Sequence, residues 1–106
     1  MVRVDFMVSR GGLIKGFRIS GHADFSESGS DIVCASISSA AYMAANTVTE
    51  IIHADAVTEA DEGYMYLSVS KKDQAICQTI LEGLKLHLVS LEEQYPENLN
   101  VFYLEV

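Results

Sequence analysis

Between Ile32 and His53 the chain interleaves Ala35, Ala40, Ala41, Ala44 and Ala45 with Ile37, Met43, Val48 and Ile51. At helical spacing these small and apolar groups fall on nearly every face, so the segment reads as a long helix buried on more than one side. That demand governs the rest of the chain. With 106 residues the protein makes one domain, residues 1–106, and the other elements have to cover this central helix. Ser30 or Asp31 is placed to cap it, since either side chain accepts a hydrogen bond from a free amide of the first turn.

The flanking segments switch period. Val2, Val4, Phe6 and Val8 alternate with Arg3, Asp5, Met7 and Ser9, which predicts a strand with one buried face. Gly11-Gly12 supplies the positive backbone angles of a tight turn, and a second strand follows through Leu13, Phe17 and Ile19. Gly21 to Ser30, made of Gly, Ser and acidic residues, is expected to be a mobile loop. Beyond the central helix, Val57–Ala60 and Tyr64–Val69 form a second hairpin around Asp61-Glu62-Gly63. Ser70-Lys71-Lys72-Asp73 has the pattern of a capping box. Ile76, Ile80, Leu84, Leu88 and Leu91 then mark one apolar face of a second helix. Pro96 and Asn98 end it, and Val101–Val106 closes the chain as a strand. The order ββαββαβ predicts an α+β two-layer fold, a mixed and mostly antiparallel sheet with two helices on one face.

Charge narrows the partners. Fifteen acids against seven bases give a net charge of −8, which repels phosphate backbones, so no direct binding of nucleic acid is expected. Residues 1–20 hold four bases and one acid, leaving the remainder at −11. Asp24, Glu27 and Asp31 form an unbalanced acidic segment, read either as a solvated loop or as a patch that receives a basic peptide. Ser, Thr, Asn or charge interrupts every apolar run, and no segment is expected to span a membrane. Two well-separated cysteines and an N-terminus without a secretory pattern point to reduced thiols in the cytoplasm.

Those cysteines differ in setting. Cys34 falls in the first turn of the central helix, twelve positions after His22, with the Gly/Ser/acid loop between them. A thiol at a helix N-terminus meets unpaired amides and the positive end of the macrodipole, both of which favour thiolate over thiol. His22 as imidazolium would hold that thiolate, and as an acid it would protonate a leaving amine; the same helix start offers amides for an oxyanion. The alternative is a small buried hydrophobe, the ordinary role of a cysteine in an Ala-rich helix. Asp31 and Ser38 lie three and four positions either side of Cys34 on one face. Asp31 reads equally as a cap or as a group orienting His22, and Ser38 as a substrate contact or as a hydroxyl bonded one turn back. Cys77, His53 and His87 read as structural. Cys77 and His87 are too far apart on one helix to share a metal, so neither a metal nor a cofactor is expected.

Gly21-His22-Ala23, a short acidic loop, and Asp31-Ile32-Val33-Cys34-Ala35-Ser36-Ile37-Ser38 together resemble the paired motifs of the ribosomal-processing cysteine protease family, Prp. The resemblance runs from the first hairpin to the last strand. Ser36, where the family more usually has Ala or Gly, is a mild departure. The resemblance implies Cys34 as nucleophile and His22 as general base, with Asp31, Ser38 and Gly21 in support. It further implies removal of the N-terminal extension of large-subunit ribosomal protein twenty-seven by a cut after a pair of Phe residues. It also implies a homodimer and a mobile loop over the active site. Two other classes are distinguishable. A binding module or chaperone for a basic ribosomal protein would hold the peptide without cutting it. A thiol redox sensor would oxidise Cys34, although no cysteine nearby in sequence offers itself as a resolving partner.

Overall fold

A computed structural model describes residues 1–21 and 30–106. In chain order the elements are β1 (Val2–Val8), β2 (Ile14–Ser20), α1 (Ser30–Asn46), β3 (Ala56–Asp61), β4 (Tyr64–Val69), α2 (Gln78–Gln94) and β5 (Leu99–Glu105). The sheet order is β3-β4-β2-β1-β5, with β5 parallel to β1 and every other pair antiparallel. The fold is therefore the expected mixed, mostly antiparallel α+β arrangement.

Register places Val4 opposite Ile19, Ile19 opposite Met65, and Phe17 between Phe6 and Leu67, so these side chains share one face of the sheet. The same cluster takes in Val33, Ile37, Ala41 and Ala44 from α1, Val48 from the turn that follows it, and Leu81, Leu84, Leu88 and Leu91 from α2. Both helices thus cover one face. Ala41 and Ala44 have no exposed surface, and their small size lets the backbone of α1 sit close to its neighbours. By length and composition the helical stretch Asp31–Ile51 could cross a membrane, contrary to the expectation that polar residues interrupt every such run. One stripe of it is packed against the sheet, while Ile32, Tyr42, Met43 and Ile51 are exposed, so the helix is buried on one side and not on more than one as its composition predicts.

Several local expectations are corrected. The helix begins at Ser30, so Asp31 stands inside the first turn and Cys34 is the fifth residue, opening the second turn. A carboxylate within the first turn is as favourable to the helix dipole as one ahead of it. The helix ends in a π turn, Thr47–Ile51, followed by His53 at φ 58°, the left-handed residue that commonly ends a helix. Of the first turn's glycines only Gly12 has positive φ, and Leu13 lies outside β2 with its side chain partly exposed. The capping box does not form. Ser70 makes no capping bond and Asp73 instead accepts from the amide of Asp55 at 2.8 Å. Two 3₁₀ turns, Lys71–Asp73 and Ala75–Cys77, precede α2, and they rotate Ile76 into solvent while Cys77 becomes fully buried. Residues 22–29, including the loop expected to be mobile, lie outside the described residues.

β1 is buried on both faces at its centre, not on one. Asp5 points away from the helices yet is 1% exposed. Arg3 Nε donates to its two oxygens at 3.0 and 3.2 Å, and Arg18 Nη2 donates to Oδ2 at 3.2 Å. Arg3 also lies 4.2 Å from the ring centre of Phe102, opposite Asp5 on β5. Two guanidiniums thus satisfy a carboxylate that could not be buried alone. Asp5→Ala is expected to lower stability by about 2 kcal/mol, because it removes charge-assisted bonds at a buried position. Arg3→Ala, on a half-exposed partner, should cost less than about 1 kcal/mol; chemical denaturation of both variants checks the order.

Cys77 gives a pH dependence. Burial pushes its thiol above the ordinary range, with the neighbouring Asp73 carboxylate adding to the effect. In the unfolded chain this thiol loses its proton at the ordinary value, while the folded chain still holds it. The unfolded state then binds fewer protons, and stability falls as pH rises through that range. Denaturation from neutral pH to above the thiol range should show this loss in the parent protein and a smaller one in Cys77→Val.

Candidate active site

Val33 and Ile37 are buried at 1% and 2% exposure, and their burial fixes the rotation of α1 about its axis. Cys34, the next residue after Val33, therefore falls at the border of the buried stripe, where it is half-buried. Helix side chains lean back toward the N-terminus, so this one leans over the first turn. Cys34 lines a cavity of about 200 Å³ between α1 and the end of the sheet where β2 pairs with the start of β4. Ser38 and Tyr42 follow at intervals of four residues and line the same cavity, as expected for a ladder along one helix face.

The opposite wall comes from the second hairpin. Antiparallel pairing sets Ser20 against Tyr64, so the end of β2 meets the turn between β3 and β4. Asp61, Gly63 and Tyr64 line the cavity there, and Ile19, Met65 and Val2 close it toward the core. Gly21 completes the rim. It has φ +91°, and its amide donates to the carbonyl of Gly63 at 3.0 Å. A Cβ at this position would stand 2.5 Å from the carbonyl oxygen of Met1. Glycine is thus required twice over, by backbone angle and by space. The next residue in the chain, His22, lies outside the described residues.

Of the predicted site residues, the structure brings Cys34, Ser38 and Gly21 to one cavity. Asp31 is exposed and does not line it. Tyr42, Tyr64 and Asp61 were not anticipated. Tyr42 had a signal in its spacing, eight residues after Cys34 on a helix. Tyr64 and Asp61 had none, because only strand register carries them here. Neither cysteine is in a disulfide. Cys77 is sealed in the core with a raised thiol, so the two thiols occupy opposite environments, one facing a cavity and one inert. Among the described residues no group of His, Cys, Asp and Glu is arranged to hold a metal ion.

Gly21→Ala is expected to cost more than about 1 kcal/mol, from the left-handed backbone angle alone. Because the clash is with Met1 at the rim of the cavity, alkylation of Cys34 should change rate in this variant even below its melting transition. A Gly63→Ala variant, also at positive φ, provides the comparison for strain on the opposite side.

Residues 1–100 match the family model for the cysteine protease Prp. The chain is 31% identical over 94 residues to the ribosomal processing cysteine protease Prp of Bacillus subtilis (strain 168), covering 83% of this chain and 84% of that one. A crystal structure of an essential ribosomal processing protease Prp from S. aureus, in complex with a substrate peptide, superposes with a TM-score of 0.87 at 28% identity. That match covers 97% of this chain and 99% of the other. The S. aureus protease in complex with a covalently linked product peptide gives a TM-score of 0.85, also at 28% identity and over the same shares of the two chains. Family model, full-length relatives and shared architecture agree, and this chain belongs to the cysteine protease Prp family.

Proposed function

We propose that this protein is a ribosomal-processing endopeptidase. It removes the N-terminal extension of large-subunit ribosomal protein twenty-seven by cutting after a pair of Phe residues, with Cys34 as nucleophile and His22 as general base. The observation that carries the reading is the placement of Cys34 over the opening turn of α1 and against a cavity. The chain's other thiol is wholly enclosed.

The reaction balances as an acyl transfer. The Cys34 thiolate attacks the scissile carbonyl, and the resulting oxyanion is stabilised by amide donors. The C–N bond breaks as His22 delivers its proton to the departing amine, leaving a thioester on Sγ. His22 then takes a proton from water, the hydroxide displaces Sγ, and the new carboxylate leaves. Amides not yet bonded within the first turn of α1 are suited to the oxyanion, and Ser38, one turn further on, to the peptide backbone.

A cavity of about 200 Å³ is smaller than the pockets of about 300–1,000 Å³ that take whole ligands. It suits one aromatic side chain, with Tyr42 and Tyr64 as its aromatic walls. Asp61 on its rim and Glu62 beside it suit a basic peptide, in keeping with the net charge of −8. Asp31 supports the helix start through the dipole and is not needed as a third member of a triad. The protein acts in the cytoplasm as a homodimer, without a cofactor.

Mass spectrometry of a basic extension peptide containing Phe-Phe tests the reading. The parent protein should cut it once, after the Phe pair. Cys34→Ala should leave it intact, and His22→Ala should slow cleavage by about 10²–10⁴-fold. A peptide that binds tightly and stays whole would identify a chaperone instead. Cleavage that persists in Cys34→Ala would remove Cys34 from the chemistry.

A further inference from the structure

β3 is an edge of the sheet, and among the described residues nothing pairs with its outer side. Val57 to Asp61 are all exposed, which makes it the least covered of the five strands. Just ahead of β3, the carbonyl of Asp55 accepts from the amide of Ser70 at 2.8 Å. Backbone groups alternate in direction along an antiparallel strand, so Val57, Glu59 and Asp61 also turn theirs to β4. Ala56, Thr58 and Ala60 turn theirs outward. Among the described residues these outward amides and carbonyls make no backbone hydrogen bond beyond the ladder. Such an edge is a template for another extended chain.

Charge decides which chain it accepts. Glu59, Asp61 and Glu62 gather at the end of the hairpin that borders the Cys34 cavity, and none is in an ion pair among the described residues. Pairing of β3 with the β3 of a second copy would set these carboxylates beside their like, which is destabilising. A basic chain meets the opposite condition. The bases Arg10, Lys15 and Lys71 stand at the other end, near Asp55 and Ala56, so the basic part of such a chain belongs at the Asp61 end. The second edge of the sheet, β5, carries one acid, Glu105, and lines no part of the Cys34 cavity.

Side-chain direction points to the same place. Ala56, Thr58 and Ala60 lie opposite Val69, Leu67 and Met65, which belong to the core, so their own side chains share the helix side of the sheet. They are small and leave room there for every second side chain of an added strand. The Cys34 cavity lies on that side, between α1 and the sheet.

We propose that β3 receives the substrate as an added outer strand. Amides of Ala56, Thr58 and Ala60 donate to peptide carbonyls, their carbonyls accept from peptide amides, and basic side chains of the peptide lie beside Glu59, Asp61 and Glu62. Main-chain bonds hold any extended chain, the carboxylates select a basic one, and the cavity selects an aromatic side chain. The identity of this chain as substrate rests on the protease reading, whereas the docking edge does not.

Hydrogen exchange on full-length Cys34→Ala, saturated with a Lys-rich peptide containing Phe-Phe, tests the edge directly. The amides of Ala56, Thr58 and Ala60 should become protected, and a Glu-rich peptide of equal length should leave them exchanging as before. Proline is tolerated where an edge amide faces outward, so Thr58→Pro should weaken peptide binding at least about tenfold with little loss of melting temperature. Thr58→Ala keeps the amide and should bind as the parent does. Glu59→Gln combined with Glu62→Gln should weaken binding and flatten its dependence on salt. A peptide that the parent cuts while these three amides stay unprotected would overturn the docking edge and leave the protease reading standing. Protection by a peptide that is never cut would keep the edge and overturn the protease reading.

Discussion

Burial of one stripe of α1 sets most of what this molecule can do. Val33, Ile37, Ala41, Ala44 and Val48 are each at most 2% exposed, and together they hold the helix at one rotation against the sheet. A helix advances about 100° per residue. With Val33 turned inward, Cys34 has to emerge at the edge of the packed face, and Ser38 and Tyr42 have to follow it. A rotation by one residue would bury the thiol or point it into solvent. The alanines are part of the same constraint, because any larger side chain at Ala41 or Ala44 would push the helix outward and open the wall of the cavity.

The sheet extends this constraint to both ends of the domain. β2 and β4 are paired from Gly16–Ser68 to Ser20–Tyr64, and each end of that ladder is tied by a glycine. Gly21 sits where a side chain would strike the Met1 carbonyl; Gly16 sits where one would strike the carbonyl of Leu67, at 1.8 Å from the ideal Cβ. Close approach at Gly16 keeps the two central strands in register, and register is what delivers Tyr64 and Asp61 to the thiol. The geometry of the cavity is therefore decided partly at a position several residues away along the strand.

Sequence patterns carried the helices, the two hairpins and the closing strand, because each depends on the period of its own residues. They failed where a neighbour decides. Ile76 fits the apolar face of an ideal helix through Leu84, but the 3₁₀ turns ahead of α2 rotate it outward and put Cys77 inside. Ser70 and Asp73 have the spacing of a capping box, yet the amide of Asp55 takes the carboxylate. Asp5 alternates as a solvent-facing residue should, and it is covered because Arg18 on β2 and Phe102 on β5 stand opposite it. For the candidate site, Cys34 and Ser38 are spaced along one helix and were legible, and Tyr42, one turn further, carried the same spacing but was not anticipated. The hairpin residues opposite them were not legible, since no local pattern states which turn will pair with the end of β2.

Charge is unevenly distributed around the Cys34 cavity. Of the seven bases, Arg3 and Arg18 surround Asp5, and Arg10, Lys15 and Lys71 lie beyond the opposite, Gly16–Ser68 end of the β2–β4 ladder. The end that carries Cys34 has Asp31, Asp61 and Glu62 among its described residues, with no lysine or arginine lining its cavity. An acidic rim of this kind would favour the approach of a basic chain, and the gain would be in encounter rate and orientation more than in affinity. Such steering needs no contact with the charged groups themselves. On the proposed reading, an acidic rim above an aromatic pocket would divide the work: the rim would attract a basic peptide from a distance, and burial of one apolar side chain against Tyr42 and Tyr64 would fix which bond stands over the thiol.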